Sequence, residues 1–266
     1  MIHKDKTGLL IGGLFDVHNE VRQGRDEPDY HEAFKAWLEE EGIPFESKPL
    51  HELRLHGQVA HRMYPDFVAW DLIVIELKAK ARDIRFGEFA QLFNYLKCRG
   101  GPLGLMANMG LDRVIHERVV FDPMEYDKQE DWSEWTGAIA GEDRKTGEKI
   151  RQALNYIYEQ HQTGYSHEPT ENLIKFEFQY RHLRYAVSPA AETLFRGKKI
   201  GKSSLDCMVI DETILFVFSA LFDDNCFNIS RARNYMDLLG KDWAVAVNFG
   251  KKTLEIKALQ RSQDHG

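Results

Sequence analysis

The sequence is poor in cysteine, has no long apolar run and shows no basic excess. Its three cysteines, Cys98, Cys207 and Cys226, are an odd number with no C-x-x-C pair, which leaves no disulfide framework. They read as ordinary thiols of a reducing compartment, and a cytoplasmic location is expected. No apolar stretch nears the roughly 18 residues of a membrane span, so no membrane partner is expected. The segment Met1-Ile2-His3-Lys4-Asp5-Lys6-Thr7 lacks the apolar core of a secretory signal. The formal net charge of −7 excludes a protein that coats nucleic acid through bulk positive charge. The acidic surplus lies in residues 1–140, whereas residues 141–266 are close to balance. What remains is ordinary: 266 residues, 43% hydrophobic and 29% charged, the make-up of a globular chain whose length predicts two domains.

The two halves resemble each other. Sliding the sequence over itself by 140 positions, without a gap, superimposes Gly24 on Gly164, Gly57 on Gly197 and Gly100 on Gly240. Pro49 falls on Pro189, Asn94-Tyr95 on Asn234-Tyr235, and Asn108 on Asn248. A tandem duplication follows, with one copy at 1–121, a connector at 122–147 and a second copy at 148–266. The connector holds Asp122-Pro123 and the acidic run Gln129-Glu130-Asp131. Its periodicity is weak, although Trp132 and Trp135 imply that part of it packs.

In the first copy, Leu10, Leu14, Val17 and Val21 recur at helical spacing. Tyr30, Ala33, Phe34, Trp37 and Leu38 do so again, and Gly42 and Pro44 stop that helix. From Phe45 to Gly57 the chain reads as extended, with Gly57 suited to a hairpin turn. Asp66–Trp70 and Ile73–Ala79 form two apolar strands around a turn near Asp71. Helical spacing returns at Phe86, Phe89, Phe93 and Leu96, and Leu103–Ala107 is a short buried strand. A further strand is expected from Val114 to Phe121. The fold class is α/β, with two tandem units, each a mixed sheet flanked by helices.

One constellation could carry chemistry. Pro65-Asp66 is followed by Glu76-Leu77-Lys78, and on a strand Glu76 and Lys78 face the same way with Cα atoms about 7 Å apart. A hairpin turn centred on Asp71 sets Asp66 opposite Glu76. Two carboxylates then converge beside an ammonium group, a set able to hold a hard divalent cation through oxygen. Such a cation polarises a phosphoryl oxygen and acidifies a bound water, while the lysine orients or deprotonates the attacking water. An isolated Glu-x-Lys is usually a surface ion pair. This one lies between Leu72-Ile73-Val74-Ile75 and Ala79, where unpaired charge is costly and needs a reason.

Gly24-x-x-Glu27-x-x-Tyr30, after the first helix, resembles the motif of the GxxExxY proteins, a branch of the PD-(D/E)XK nuclease superfamily. Val17-His18-x-Glu20 is also similar, and Gln91-x-x-x-Tyr95 resembles the Q-x-x-x-Y motif of RecB-like nucleases. The likeness spans about residues 8–121. It departs where the family has Gly-Pro-Gly and this chain has Arg22-Gln23-Gly24, and at Arg25-Asp26, where the family is apolar. The resemblance implies a PD-(D/E)XK fold and a Mg²⁺- or Mn²⁺-dependent nuclease acting on DNA or RNA. It implies Asp66, Glu76, Lys78 and Gln91 as catalytic residues, with Glu27, Asp66 and Glu76 as metal ligands. His18 either faces this site or is a satisfied structural histidine, and Tyr95 either lines the site or packs.

At the same offset the second copy sets His167 at Glu27, Phe216 at Glu76, Phe218 at Lys78 and Arg231 at Gln91, keeping only Asp206 of the central trio. It is expected to be a degenerate copy, lacking the catalytic residues. Arg196, Lys198, Lys199 and Lys202 form a basic hairpin that either holds phosphates or is merely solvated. The second copy is otherwise expected to pack on the first as an internal pseudo-dimer. The rival to a nuclease is a non-catalytic scaffold that binds nucleic acid or protein on the same fold.

Overall fold

Leu10, Leu14 and Val17 are buried along one face of the first helix, α1 (Lys4–Val21), in the computed structural model of the protein. The structure describes residues 3–122 and 124–262, so Met1, Ile2, Pro123 and residues 263–266, which include part of the expected connector and of both ends, lie outside it. The chain divides into two units, Met1–Leu53 with His61–Pro123, and Arg54–Ala60 with Met124–Gly266. Among the described residues no helix is long and apolar enough to cross a membrane.

In the first unit α1 is followed by a turn in which Gly24 takes φ 91°, a conformation costly for other residues. Helix α2 (Glu27–Glu40) has proline in its first turn, where the missing N–H is harmless, and buries Tyr30, Phe34 and Leu38. Then come β1 (Phe45–Ser47), β2 (His51–Leu55), β3 (Gln58–Met63), β4 (Phe67–Ala69) and β5 (Ile73–Lys78), the tip of the β2–β3 hairpin, Arg54–Ala60, falling to the second unit. His56 and Gly57 both have positive φ, the requirement of a tight two-residue hairpin turn between β2 and β3. Helix α3 (Phe86–Arg99) ends on the left-handed Gly100, and β6 (Leu103–Asn108) and β7 (Ile115–Val120) follow.

The main sheet runs β1-β4-β5-β6-β7, with β5 and β6 parallel and the other neighbours antiparallel. Ile73, Ile75 and Leu77, with Leu103, Leu105 and Ala107, pack against the apolar stripes of α1 and α2. Strand alternation sends Val74, Glu76 and Lys78 the other way. Gly104 shares that opposite face, and Leu92 of α3 lies on it. Both faces of β5 are therefore covered.

The second unit contains β8 (Asp127–Asp131), a 3₁₀ turn (Ser133–Trp135), α4 (Gly141–His161), α5 (His167–Tyr180) and β9 (Tyr185–Val187). It continues with β10 (Ala190–Phe195), β11 (Lys198–Ser204), β12 (Met208–Ile210), β13 (Ile214–Ala220), α6 (Cys226–Leu239), β14 (Trp243–Phe249) and β15 (Thr253–Gln260). Its sheet runs β8-β15-β14-β13-β12-β9, so β9-β12-β13-β14-β15 repeats the order and pairing directions of β1-β4-β5-β6-β7. The extra strand is β8, parallel to β15. Residues 122–147 thus depart from the expected connector: within them β8, the 3₁₀ turn and the start of α4 are built into this unit. Strand β8 reads Asp-Lys-Gln-Glu-Asp and has no apolar alternation to betray it. Trp135 is buried, and its indole N–H donates to the Leu259 carbonyl at 2.9 Å.

Asn108 closes the end of β5 in the first unit. Its Oδ1 accepts the Lys80 and Gly110 amides at 2.9 and 3.2 Å, and its Nδ2 donates to the Lys80 and Arg82 carbonyls at 3.0 and 2.8 Å. Asn248 does related work after β13, donating to the Phe222 carbonyl at 3.1 Å. A Cβ on Gly110 would lie 2.5 Å from the Lys80 nitrogen and 2.6 Å from the Ala79 carbonyl carbon. Gly110→Ala is expected to lower stability by about 1–3 kcal/mol in urea denaturation, the usual range for overpacking. Gly12→Ala, in α1 with nothing within 4 Å of its Cβ, should instead match or slightly exceed the parent. Equal midpoints for the two variants would refute the close approach at Gly110.

Candidate active site

The register Phe67↔Ile75 carries one step further to set Asp66, just ahead of β4, across from Glu76. Trp70 and Asp71, both at positive φ, make the turn that fixes this pairing. Asp66 Oδ2 accepts the Leu77 amide at 2.7 Å, between the two strand residues of the constellation. Lys78 Nζ donates to Glu76 Oε1 at 2.6 Å and lies 3.7 Å from Glu27 Oε1. Glu76 is 2% exposed and Lys78 7%, while the Glu27 side chain, in the first turn of α2, is 37% exposed. The other carboxylate oxygen, Glu76 Oε2, is buried with no hydrogen-bond partner.

Burial pushes the Glu76 carboxyl up to about 8, the nearby charge of Asp66 adds to the rise, and Lys78 offsets only part of it. Burial also raises Asp66, against the pull of the Leu77 amide and Lys78. Burial works to lower Lys78, but Glu76 and then Glu27 and Asp66 outweigh it and hold the ammonium above its ordinary value. The site is short of positive charge.

Gln91 does not join the carboxylates. Its Nε2 donates to Tyr95 Oη at 2.7 Å, and Tyr95 Oη donates to the Tyr64 carbonyl at 3.2 Å. The motif on α3 thereby holds the segment two residues ahead of Asp66. His18 Nε2 donates to the Leu111 carbonyl at 2.9 Å. Tyr30 Oη donates to the Arg22 carbonyl at 2.7 Å and so pins the turn at Gly24, which sets where α2 begins. His31 was not singled out from the sequence. It is buried one turn after Glu27, stacks on Phe67 at 4.3 Å and acts electrostatically on Asp66. The i, i+4 spacing of Glu27 and His31 on one helix face was the available signal.

The second unit differs from the expected alignment. Lys78 pairs with Asn108 in the β5–β6 ladder, and Ser219 pairs with Asn248 in β13–β14. By this register Val217, not Phe216, stands where Glu76 does, and Ser219, not Phe218, where Lys78 does. Cys207, opposite Val217, takes the place of Asp66, and Asp206 does not. The cause is a bulge in the β10–β11 hairpin that leaves Ile200 unpaired and adds a residue ahead of β12. Phe216 and Phe218 face the helices instead, against Phe178 at 5.2 Å and His167 at 4.6 Å. Ser219 Oγ donates to Asn248 Oδ1 at 3.1 Å and accepts from Asn228 at 2.6 Å, inside a buried network of amides. Arg231 pairs with Asp206 at 2.6 Å. No carboxylate occupies the places of Asp66 and Glu76 there.

Hard carboxylate oxygens, one of them buried without a partner, suit a divalent cation of the Mg²⁺ kind, which typically takes one or two protein carboxylates and completes its shell with water and phosphate. Among the described residues no set of three or more His, Cys, Asp or Glu side chains is already drawn together as a ligand cluster.

Residues 4–119, from α1 into β7, match the PD-(D/E)XK nuclease superfamily. No curated protein matches the chain. The solved structure of SSO0001 is similar at 20% identity and a TM-score of 0.28, over 36% of this chain and 50% of that one, so the chain spans about half its length. An alkaline exonuclease (LHK-Exo) from Laribacter hongkongensis is similar at 11% identity and a TM-score of 0.27, over 56% of this chain and 68% of that one.

The raised carboxyls have a consequence for stability. Between the ordinary glutamate value of 4.5 and about 8 the folded state binds more protons at Glu76 than the unfolded chain does. Stability must then fall as pH rises through that window. Thermal melting in the presence of a chelator should show this decline, and Glu76→Gln should flatten it. A variant whose melting temperature falls with pH as steeply as the parent's would show that Glu76 is not the group that titrates.

Proposed function

We propose that the first unit is a Mg²⁺- or Mn²⁺-dependent nuclease that hydrolyses phosphodiester bonds of nucleic acid. The observation that carries this reading is the buried Glu76–Lys78 pair at the C-terminal end of β5, with a partnerless carboxylate oxygen and Asp66 across the register. The ends of parallel strands are where open α/β sheets place their ligands. The superfamily match over residues 4–119 supports it.

In this reading Asp66 and Glu76 would hold the cation, with Glu27, in the first turn of α2, as a further ligand. The bound cation would polarise a phosphoryl oxygen and acidify the water that attacks phosphorus. Lys78 orients that water, and its charge faces the phosphate. With Glu76 neutralised by a bound cation, the Lys78 ammonium would be free for this task. Gln91 acts at one remove, through Tyr95 and the Tyr64 carbonyl, to position the segment that carries Asp66. The second unit is read as a tandem copy without the metal site, retained for structure or for substrate binding. Its repeated strand order and the shared left-handed glycines at Gly24/Gly164, Gly57/Gly197 and Gly100/Gly240 support that reading. The cysteine usage supports a cytoplasmic setting.

Metal-stimulated cleavage of single- and double-stranded DNA and RNA tests the proposal. Glu76→Ala and Lys78→Ala should each lower the rate on the order of a hundredfold or more, and Lys78→Ala should leave metal binding largely intact. Phe216→Ala should leave cleavage at the parent rate while lowering stability by about 3–5 kcal/mol. A folded protein that binds nucleic acid but shows no metal-stimulated cleavage would be a scaffold. Cleavage that survives Glu76→Ala would move the activity to another site.

A further inference from the structure

Strands β10 and β11 form a two-stranded ribbon separate from the six-stranded sheet. From Ala190 to Ser204 only Ala191 is buried, and every other residue is exposed. Leu194, Phe195 and Ile200 are 60%, 59% and 65% exposed, although apolar side chains of this size gain by leaving water. Arg196, Lys198, Lys199 and Lys202 face a single acid, Glu192, within this stretch of a chain whose net charge is −7. The hairpin 140 residues earlier in the chain is unlike it. That hairpin, β2–β3, has no lysine and buries Leu53, Leu55 and Met63.

Cross-strand partners share a face of a ribbon, and the register therefore assigns the charges. Phe195 pairs with Lys198 on one face, whereas Leu194 pairs with Lys199 and Glu192 with Lys202 on the other. Lys199 forms an ion pair with Glu192. At the turn, the Arg196 guanidinium lies over the Phe195 ring at 5.2 Å from its centroid. Each face thus carries an apolar side chain beside a cation, and the tip carries an arginine on an aromatic ring.

We propose that the β10–β11 ribbon is a DNA-binding arm that enters a groove of the double helix. A two-stranded ribbon fits the B-form major groove, about 12 Å wide, whose two walls are rows of phosphates. Cations on both faces meet both walls, and Leu194, Phe195 and Ile200 lose water inside the groove. A flat lipid surface would instead call for cations on one face. The deep, narrow major groove of A-form RNA does not admit side chains. The bulge at Ile200 strengthens the local twist and suits the ribbon to a helical groove. The arm lies outside the proposed catalytic unit and is independent of whether that unit cleaves.

The experiment measures fluorescence anisotropy of a labelled mixed-sequence duplex DNA with the full chain, in chelator so that no metal-dependent cleavage intervenes. The parent should bind duplex DNA more tightly than duplex RNA of the same sequence. Combining Arg196→Ala, Lys198→Ala, Lys199→Ala and Lys202→Ala should weaken DNA binding at least tenfold. It should also make the plot of log affinity against log salt shallower by about 3 to 4, the loss of four phosphate contacts. Phe195→Ser with Ile200→Ser should weaken binding with the salt slope unchanged. Circular dichroism shows whether each variant keeps its fold, which an exposed ribbon predicts. A folded quadruple variant with parental affinity and slope would overturn the proposal, as would a parent that does not bind duplex DNA. Tighter binding to anionic lipid vesicles than to DNA would overturn it in favour of a membrane, and self-association lost in the serine variant without any change in DNA binding would overturn it in favour of a second copy. Because the assay contains no divalent metal, a failed arm leaves the nuclease reading intact, and failed cleavage leaves the arm intact.

Discussion

Folding the first unit requires a carboxylate and an ammonium to be buried on one strand. Glu76 and Lys78 lie almost wholly out of water in β5, whose remaining residues are apolar. Either charge alone would be costly, and even a close pair commonly fails to regain the full loss of hydration. The surroundings answer this constraint locally. Asp66 is fixed by the Leu77 amide, Glu27 approaches from a helix start pinned by Tyr30, and Asn108 ties down the chain just past Lys78. The result keeps two acids harder to ionise than usual. That is a poor arrangement for stability and a good one for attracting a cation.

The second unit gives the contrast. With Val217, Ser219 and Cys207 in the corresponding places, nothing charged lies at the centre of its sheet. Exchanging a buried ion pair for well-packed neutral residues is often neutral or favourable. Ser219, Asn225, Asn228 and Asn248 bond one another and nearby carbonyls, with Arg231 donating to Asn228 and Glu255 accepting from Asn248 at the margins. Asn248 keeps a hold on the backbone at the Phe222 carbonyl although the ion pair is gone, and its other bonds go to the Ser219 hydroxyl and the Glu255 carboxylate.

Much of this was legible in the sequence because it rests on periodicity and on glycine. The stripe Leu10-Leu14-Val17 and the pattern from Tyr30 to Leu38 mark two amphipathic helices, and the charged pair inside an apolar strand marks Glu76 and Lys78. The hairpin around Asp71 follows from the spacing of the two strands. Three features were hidden for definite reasons. Strand β8 is polar at every position, so no alternation reveals it. The bulge at Ile200 adds a residue that is removed again before α6, so an ungapped comparison still matches on both sides of it. Between those points the comparison is out by one, and a one-residue slip in a strand turns every side chain to the opposite face. That is why Phe216 and Phe218 looked like replacements for the charged pair when they are core residues facing the helices. The network of asparagines was hidden too, since its members come from β13, α6 and β14 and carry no local spacing.

The Asn108 clamp grips main-chain atoms alone: two amides and two carbonyls between Lys80 and Gly110. It reads no side chain of the loop it holds. Lys80, Arg82, Asp83 and Arg85, beside the end of β5, can therefore be exchanged without loosening the attachment that keeps Lys78 in place. Such a loop is free to diversify among descendants while its anchor stays constant, which would let the contacts around one unchanged Glu76–Lys78 pair be revised from lineage to lineage.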